Sequence, residues 1–250
     1  MKDFFKFMFA SMLGYLILIV ILFFITIGIF TTIANSMDNK VASVAENTLL
    51  KIDFSTPIID RTTKDPFSDF DFASMETTKS IGLNDVLKNI DKASRDPKIM
   101  GIYLNLSSVQ SGMATMEEVR KALMDFKASG KFVIAYGEYY SQGAYYLATT
   151  ADKIYLNPEG AVDFRGLAAE LMFFKGTLEK LDAEMQIIRH GKYKSAVEPF
   201  MLDKMSPENR EQMMAIIDGI WNRVTLAIST SRNISVEDLN RYADELKLNS

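Results

Sequence analysis

Ile99-Met100-Gly101-Ile102-Tyr103-Leu104-Asn105-Leu106 is apolar on nearly every side. That is the composition of a strand covered on both faces of a parallel sheet, not of a half-exposed antiparallel strand. Just upstream, Leu83, Val86, Leu87 and Ile90 recur at helical spacing, with Asn84 or Asp85 near the start. Just downstream, the loop Ser107-Ser108-Val109-Gln110-Ser111-Gly112 leads into a helix predicted over 114–127, with Met116, Val119, Leu123 and Phe126 facing inward. Gly130 ends it, and Lys131-Phe132-Val133-Ile134-Ala135-Tyr136 repeats the buried strand. Strand, crossover helix and strand imply a right-handed βαβ unit, and the class is α/β with a largely parallel sheet.

Further out, Leu49-Leu50-Lys51-Ile52-Asp53-Phe54 reads as the first strand of the soluble region. Residues 57–80 interleave Asp65, Asp69 and Asp71 with Phe67, Phe70 and Phe72, a spacing that suits a solvated loop better than a cation-binding one. A short helix is expected within 139–150 and a strand over 153–156. A further strand is expected over 166–172, a helix over 173–181 and a strand over 184–190. Ser206 fits a helix N-cap, Pro207 the first turn and Glu208 the helix dipole. Met213, Ile217, Ile220, Val224 and Ala227 make that helix's apolar stripe, to about Ser229. Ser235-Val236-Glu237-Asp238 opens a last helix with a capping box that carries Asp in place of Glu.

From Phe7 to Met37 there is no charged residue, and residues 7–33 are apolar apart from scattered Ser, Thr and Gly. As a helix this run is about 40 Å long, enough to cross a hydrocarbon core of roughly 30 Å with some tilt. The apolar region is too long for a cleavable signal peptide, and Thr31-Thr32-Ile33-Ala34-Asn35-Ser36 is a poor cleavage site, so an uncleaved anchor is expected. Lys2 and Lys6 precede the run, while Asp38 and Lys40 cancel beyond it. The positive-inside rule then places the N-terminus in the cytoplasm and the rest outside it. The expected organisation is a cytoplasmic tip (1–6), a transmembrane anchor (7–34), a tether (35–47) and one domain (48–250).

The net charge of −4, with no basic block, excludes a nucleic-acid footprint. The absence of cysteine excludes disulfides and thiolate chemistry. The single histidine, His190, makes neither a metal site nor a Ser-His-Asp triad, and a structural role at a strand end is expected for it. No metal or cofactor is expected.

The run Gly191-Lys192-Tyr193-Lys194-Ser195-Ala196-Val197-Glu198-Pro199-Phe200 sets lysines among small, aromatic and proline residues. A lysine acts as a general base only when its ammonium form is disfavoured, since an ordinary lysine, pKa ~10.4, is almost wholly protonated at neutral pH. Burial and nearby positive charge disfavour that form. Lys192 would share a face with Lys194 in an extended segment, and Arg189 is close in sequence. By composition alone the stretch reads as a surface loop. With Asp203 and Met205-Ser206-Pro207 after it, however, the run resembles the lysine motif of the signal peptide peptidase A (protease IV) family in its long form, and weaker similarity extends from about Leu50 to the end of the chain.

That resemblance implies a Clp-protease/crotonase-like superhelix of repeated strand-helix units behind one transmembrane helix. Lys194 would be the general base of a Ser/Lys dyad, neutral in an apolar pocket, with Glu198, Ser195 and Lys192 as supporting residues. The family's nucleophile follows a strand in a Ser-Gly-Gly-Tyr setting. Here the matching run is Tyr140-Ser141-Gln142-Gly143-Ala144-Tyr145-Tyr146, with Gln142 in the nucleophile slot and Ser141 one residue short. One residue on a helix is about 100° of rotation. In the family's long form the serine lies in the C-terminal half, so this chain resembles the lysine-bearing N-terminal half and is expected to be inactive alone. The loop 107–112 stands where oxyanion donors are usual but lacks paired glycines. The resemblance implies peptide substrates, including released signal peptides, digested outside the cytoplasmic membrane by a homo-oligomer, a tetramer in the family. Two readings stand beside it: a self-contained dyad of Ser141 with Lys194, and a non-catalytic scaffold of the same fold.

Overall fold

A computed structural model describes residues 2–36, 44–62, 70–71, 76–77, 80–188 and 190–247. The chain divides into two units, Met1–Val44 and Ala45–Ser250. The first is one helix, α1 (Lys2–Ser36). Its segment Asp3–Thr31 is long and apolar enough to cross a membrane.

In the second unit β1 (Thr48–Asp53) leads to β2 (Ile58–Ile59), β3 (Phe70–Asp71), β4 (Glu76–Thr77) and β5 (Ile81–Gly82). Then come α2 (Leu83–Arg95), β6 (Ile99–Asn105), α3 (Met113–Ala128), β7 (Phe132–Gly137), α4 (Gln142–Ala148) and β8 (Lys153–Leu156). After α5 (Lys175–Lys180), a 3-10 turn (Ser195–Val197) precedes α6 (Glu198–Met201), α7 (Pro207–Arg232) and α8 (Val236–Asp244). The main sheet is parallel throughout, in the order β1-β6-β7-β8. β2 pairs with β5 and β3 with β4 in two short ladders.

The buried strand from which the class was read is the second strand of that sheet. Ile102 pairs with Val133 and Leu104 with Ala135, and all four are fully buried. They share a core with Val86 and Ile90 of α2 and Val119, Leu123 and Phe126 of α3. The alternate residues point to the other face, where Leu49, Phe132 and Tyr155 stay 43%, 39% and 49% exposed. One face of this parallel sheet is therefore only partly covered within the chain, although such sheets are normally covered on both.

The expected helix starts are present. Ser206 Oγ accepts from Asn209 N at 3.1 Å and Ser235 Oγ from Asp238 N at 3.0 Å. At the second cap the Asp238 carboxylate accepts from Ser235 Oγ at 2.8 Å, not from the Ser235 backbone N–H that the expected capping box would use.

Arg120, 5% exposed, joins three helices. Its guanidinium donates to Tyr146 O and, at 2.7 Å, to Thr149 Oγ1 at the end of α4. It also reaches Ala227 O at 2.9 Å and Ser231 Oγ at 2.6 Å in α7. Burial lowers its pKa, against an opposing pull from Tyr146, over whose ring it lies at 4.7 Å.

Two expected strands are not formed. Residues 166–172 make no ladder. After the bridge between Tyr140 and Val162 the chain leaves the sheet, and residues 165–169 instead line a groove with Ile217 and Trp221 of α7 and Ala243 of α8. Leu167, Leu171 and Met172 nonetheless stay 41%, 36% and 74% exposed. Residues 184–188 and 190 also lack a strand partner, and Ile188 is fully exposed. The helix expected over 173–181 shortens to Lys175–Lys180. Most of the expected tether, Asp65, Asp69 and Arg189 lie outside the described residues.

Candidate active site

The lysine stretch is a turn, not an extended segment. Gly191 adopts φ +93°, a left-handed value that a side chain resists, and residues 191–193 bend before the 3-10 turn. Lys192 is exposed, and because the backbone turns here it does not share an extended face with Lys194, which corrects that expectation. His190 likewise is not at a strand end; it is exposed beside the lysine.

The turn is held against the N-terminal half of α7. Glu198 is 1% exposed. Its carboxylate accepts from Ser206 Oγ at 2.6 Å, Ser206 N at 3.2 Å and Asn209 Nδ2 at 2.9 Å. A carboxylate at a helix N-terminus also complements the dipole. Tyr193 OH donates to Glu211 Oε2 at 3.2 Å. Gln212 accepts from Ser195 Oγ at 3.2 Å and donates to Tyr193 O at 3.2 Å, so one side chain grips both neighbours of Lys194. The entry to α5 is tied in as well: Phe174 N donates to Pro199 O at 2.7 Å, and Lys175 pairs with Asp203 at 3.3 Å.

Glu198→Gln keeps the shape but leaves one oxygen and an NH2 facing three donors. It is expected to cost about 2 kcal/mol in chemical denaturation of the protein. A loss below about 0.5 kcal/mol would show that the carboxylate does not anchor this turn.

Lys194 lines an open groove of about 480 Å³ with Ile188, His190, Tyr193, Ser195, Ala196 and Val197. It is exposed, and its amine has no partner among the described residues. The expected apolar burial is therefore not met within this chain. Ile188 and His190, which line the groove, are themselves exposed and do not close over it.

The position that the resemblance matches to the family nucleophile is also held in place. Gln142 opens α4, and its amide oxygen accepts from Arg165 N at 3.2 Å and Gly166 N at 3.1 Å while its nitrogen donates to Gly166 O at 3.1 Å. Its amide is thus committed to the backbone where the chain leaves the sheet. Ser141 caps α4, its Oγ accepting from Ala144 N at 3.3 Å, and no hydrogen bond joins it to Lys194 among the described residues. Ser141 N donates to Ser107 O at 2.9 Å, so the 107–112 loop and the 140–146 run do lie side by side. Burial pushes the Tyr145 hydroxyl up, with Arg232 opposing, which leaves it a neutral donor at pH 7. Among the described residues no group of three or more His, Cys, Asp or Glu converges as a metal site would require.

The residues that composition did not single out are Gln212 and Glu211. The available signal was spacing: Asn209 and Gln212 are three apart on a helix whose cap was legible, hence on one face, directly after the lysine run.

The chain is 41% identical over 174 residues to protease 4 of Haemophilus influenzae, covering 68% of this chain and 28% of that protein. It is 41% identical over 168 residues to protease 4 of Salmonella typhi, covering 67% and 27%. With the chloroplastic serine protease SPPA of Arabidopsis thaliana it shares 30% over 165 residues, covering 66% and 24%. The chain thus spans about a quarter of the length of these relatives. Among solved structures, a membrane-bound stomatin-specific protease with a substrate peptide covers 80% of this chain and 74% of its own at 12% identity, but a TM-score of 0.31 gives that likeness no weight. The sequence model of peptidase family S49 matches residues 125–249, a span that takes in the end of α3, the Gln142 slot, the lysine turn and the α7 face that grips it. This chain, with its parallel sheet and that lysine turn, belongs to peptidase family S49.

Proposed function

We propose that this chain supplies the general-base half of a membrane-anchored Ser/Lys peptidase, with Lys194 as the base and the nucleophilic serine on polypeptide outside these 250 residues. The observation that carries the reading is the pairing of two features in one chain. The lysine turn is pinned on both sides while its amine stays unpaired at the rim of a groove, and the nucleophile slot holds an amide already engaged by backbone. Cover from the serine-bearing polypeptide would complete the dry site that a neutral amine requires. Lys194 then takes the serine proton as Oγ attacks the scissile carbonyl carbon and returns it to the departing amine. Water hydrolyses the acyl-enzyme in the second half of the cycle.

The substrates of this reading are hydrophobic peptides, signal peptides released from precursors among them, met outside the cytoplasm by a domain held there by α1. Lys2 and Lys6 before the apolar run support that orientation. The partly covered sheet face around Phe132 and Tyr155 suits assembly into a homo-oligomer.

A fluorophosphonate probe, which labels activated serines, tests the proposal. Residues 1–250 alone are expected to stay unlabelled, while the full-length gene product is labelled. Labelling of the short chain would favour Ser141 with Lys194, and labelling of neither would favour a non-catalytic scaffold.

A further inference from the structure

We infer that Gln212 is a positioning residue for Lys194, placing the base of its side chain by holding the carbonyl of the residue before it and the side-chain hydroxyl of the residue after it. The inference rests on the assignment of Lys194 as the base and adds to it the part that aims that base. Lys194 sits between a left-handed glycine three residues before it and a 3-10 turn immediately after it, with φ −100° and ψ 69°, outside any helix or strand ladder that would fix it. Its own side chain has no partner among the described residues. Among the described contacts, one side-chain amide reaches both residues that flank it. The Gln212 nitrogen donates to the carbonyl of Tyr193 at 3.2 Å, and its oxygen accepts from the hydroxyl of Ser195 at 3.2 Å.

The geometry distinguishes Gln212 from the neighbouring tethers. Tyr193 OH on Glu211 holds a ring, and Glu198 holds the cap of α7. Only Gln212, among the described contacts, bridges the residues flanking Lys194. Because it projects from the second turn of a 26-residue helix, the amide refers the lysine backbone to the most extended element of the unit. Arg120 in turn joins the far end of that helix to α3 and α4. A base displaced by about 1 Å loses on the order of 10²-fold in rate even when every group is present. A glutamine is suited to this task and an acid or a lysine is not: it must donate to a carbonyl and accept from a hydroxyl with the two ends of one planar group.

The test uses Gln212→Met, Ser195→Ala and the double variant in the full-length protein, with kcat and KM measured separately on one peptide substrate and thermal unfolding followed in parallel. Gln212→Met is expected to lower kcat about tenfold with KM within about twofold, because aim matters in the transition state more than in binding. Ser195→Ala should lower it less. Adding Ser195→Ala to Gln212→Met should cost almost nothing more, since the hydroxyl acts through the amide. A purely structural Gln212 would instead lower Tm with kcat unchanged, or give losses that multiply independently, and either result overturns the inference. If Lys194→Ala is dead while Gln212→Met is unaffected, only the positioning role falls. If Lys194→Ala keeps its turnover, the base assignment falls first.

Discussion

Replacing Lys194 by Ala in the full-length protein is expected to lower peptide turnover about 10³-fold or more while leaving stability within about 0.5 kcal/mol of wild type. The first half follows from the role proposed for the amine: without a base the serine proton has nowhere to go as Oγ attacks. The second half follows from what the structure shows of the side chain. Within residues 1–250 Lys194 is exposed, with no hydrogen bond or ion pair among the described residues, so truncating it strands no partner here, and where other polypeptide covers the amine its removal also relieves a desolvation cost. Loss of activity can therefore be separated from loss of fold, as it could not be for the buried Glu198. Turnover within tenfold of wild type would remove Lys194 from the mechanism, and a large drop in Tm would mean that it is a structural residue.

Arg120→Ala is expected to be the most damaging single change to stability, costing about 4 kcal/mol. For a unit of this size that corresponds to a Tm fall on the order of 10 °C. The side chain is 5% exposed and makes four hydrogen bonds into α4 and α7, besides lying over the Tyr146 ring. Truncation leaves a hole where three helices meet and takes the donor from Ser231 Oγ and the Ala227 carbonyl, while Thr149 Oγ1 keeps its bond to Tyr146 O. Arg120→Met should cost less than half as much, because it restores the stem's packing and removes a buried charge together with its desolvation penalty. Equal losses for the two would show that the charge, not the packing, carries the contribution; a loss below about 1 kcal/mol for Ala would show that α7 is docked by other contacts. Because α7 also carries the Gln212 and Glu198 contacts, Arg120→Ala should lower kcat as well, at temperatures where the protein is still folded.

The parallel sheet was legible because its signal is local. Ile99 to Leu106 and Phe132 to Tyr136 are apolar runs of strand length separated by one stretch of helical periodicity, and only a few topologies place such runs. The caps at Ser206 and Ser235 were legible for the same reason: a side chain three residues from its own backbone target needs no tertiary information. The strands expected over 166–172 and 184–190 failed because an apolar pattern states that a face is covered, not by what. Leu167 and Ala169 lie along α7 and α8 rather than beside a strand, and Met185 and Ile188 are exposed.

At the candidate site the residue types were legible and their geometry was not. That Gln142 lacks a hydroxyl is written in the sequence; that its amide closes on Arg165 and Gly166, more than twenty positions away, is not. The lysine run stood out by its residues, whereas the burial of its amine depends on whatever covers the groove. The expectation of an enclosed Lys194 therefore failed for this chain, and the proposed function places that enclosure in the polypeptide that brings the serine.

The most direct measurement is to react the full-length protein with a peptidyl phosphonate and locate the modified serine by mass spectrometry, in wild type and in Lys194→Ala. A single phosphonylated serine outside residues 1–250, lost when Lys194 is replaced, is the predicted result. Modification at Ser141 or any other serine within residues 1–250, or labelling that persists undiminished without Lys194, would contradict it.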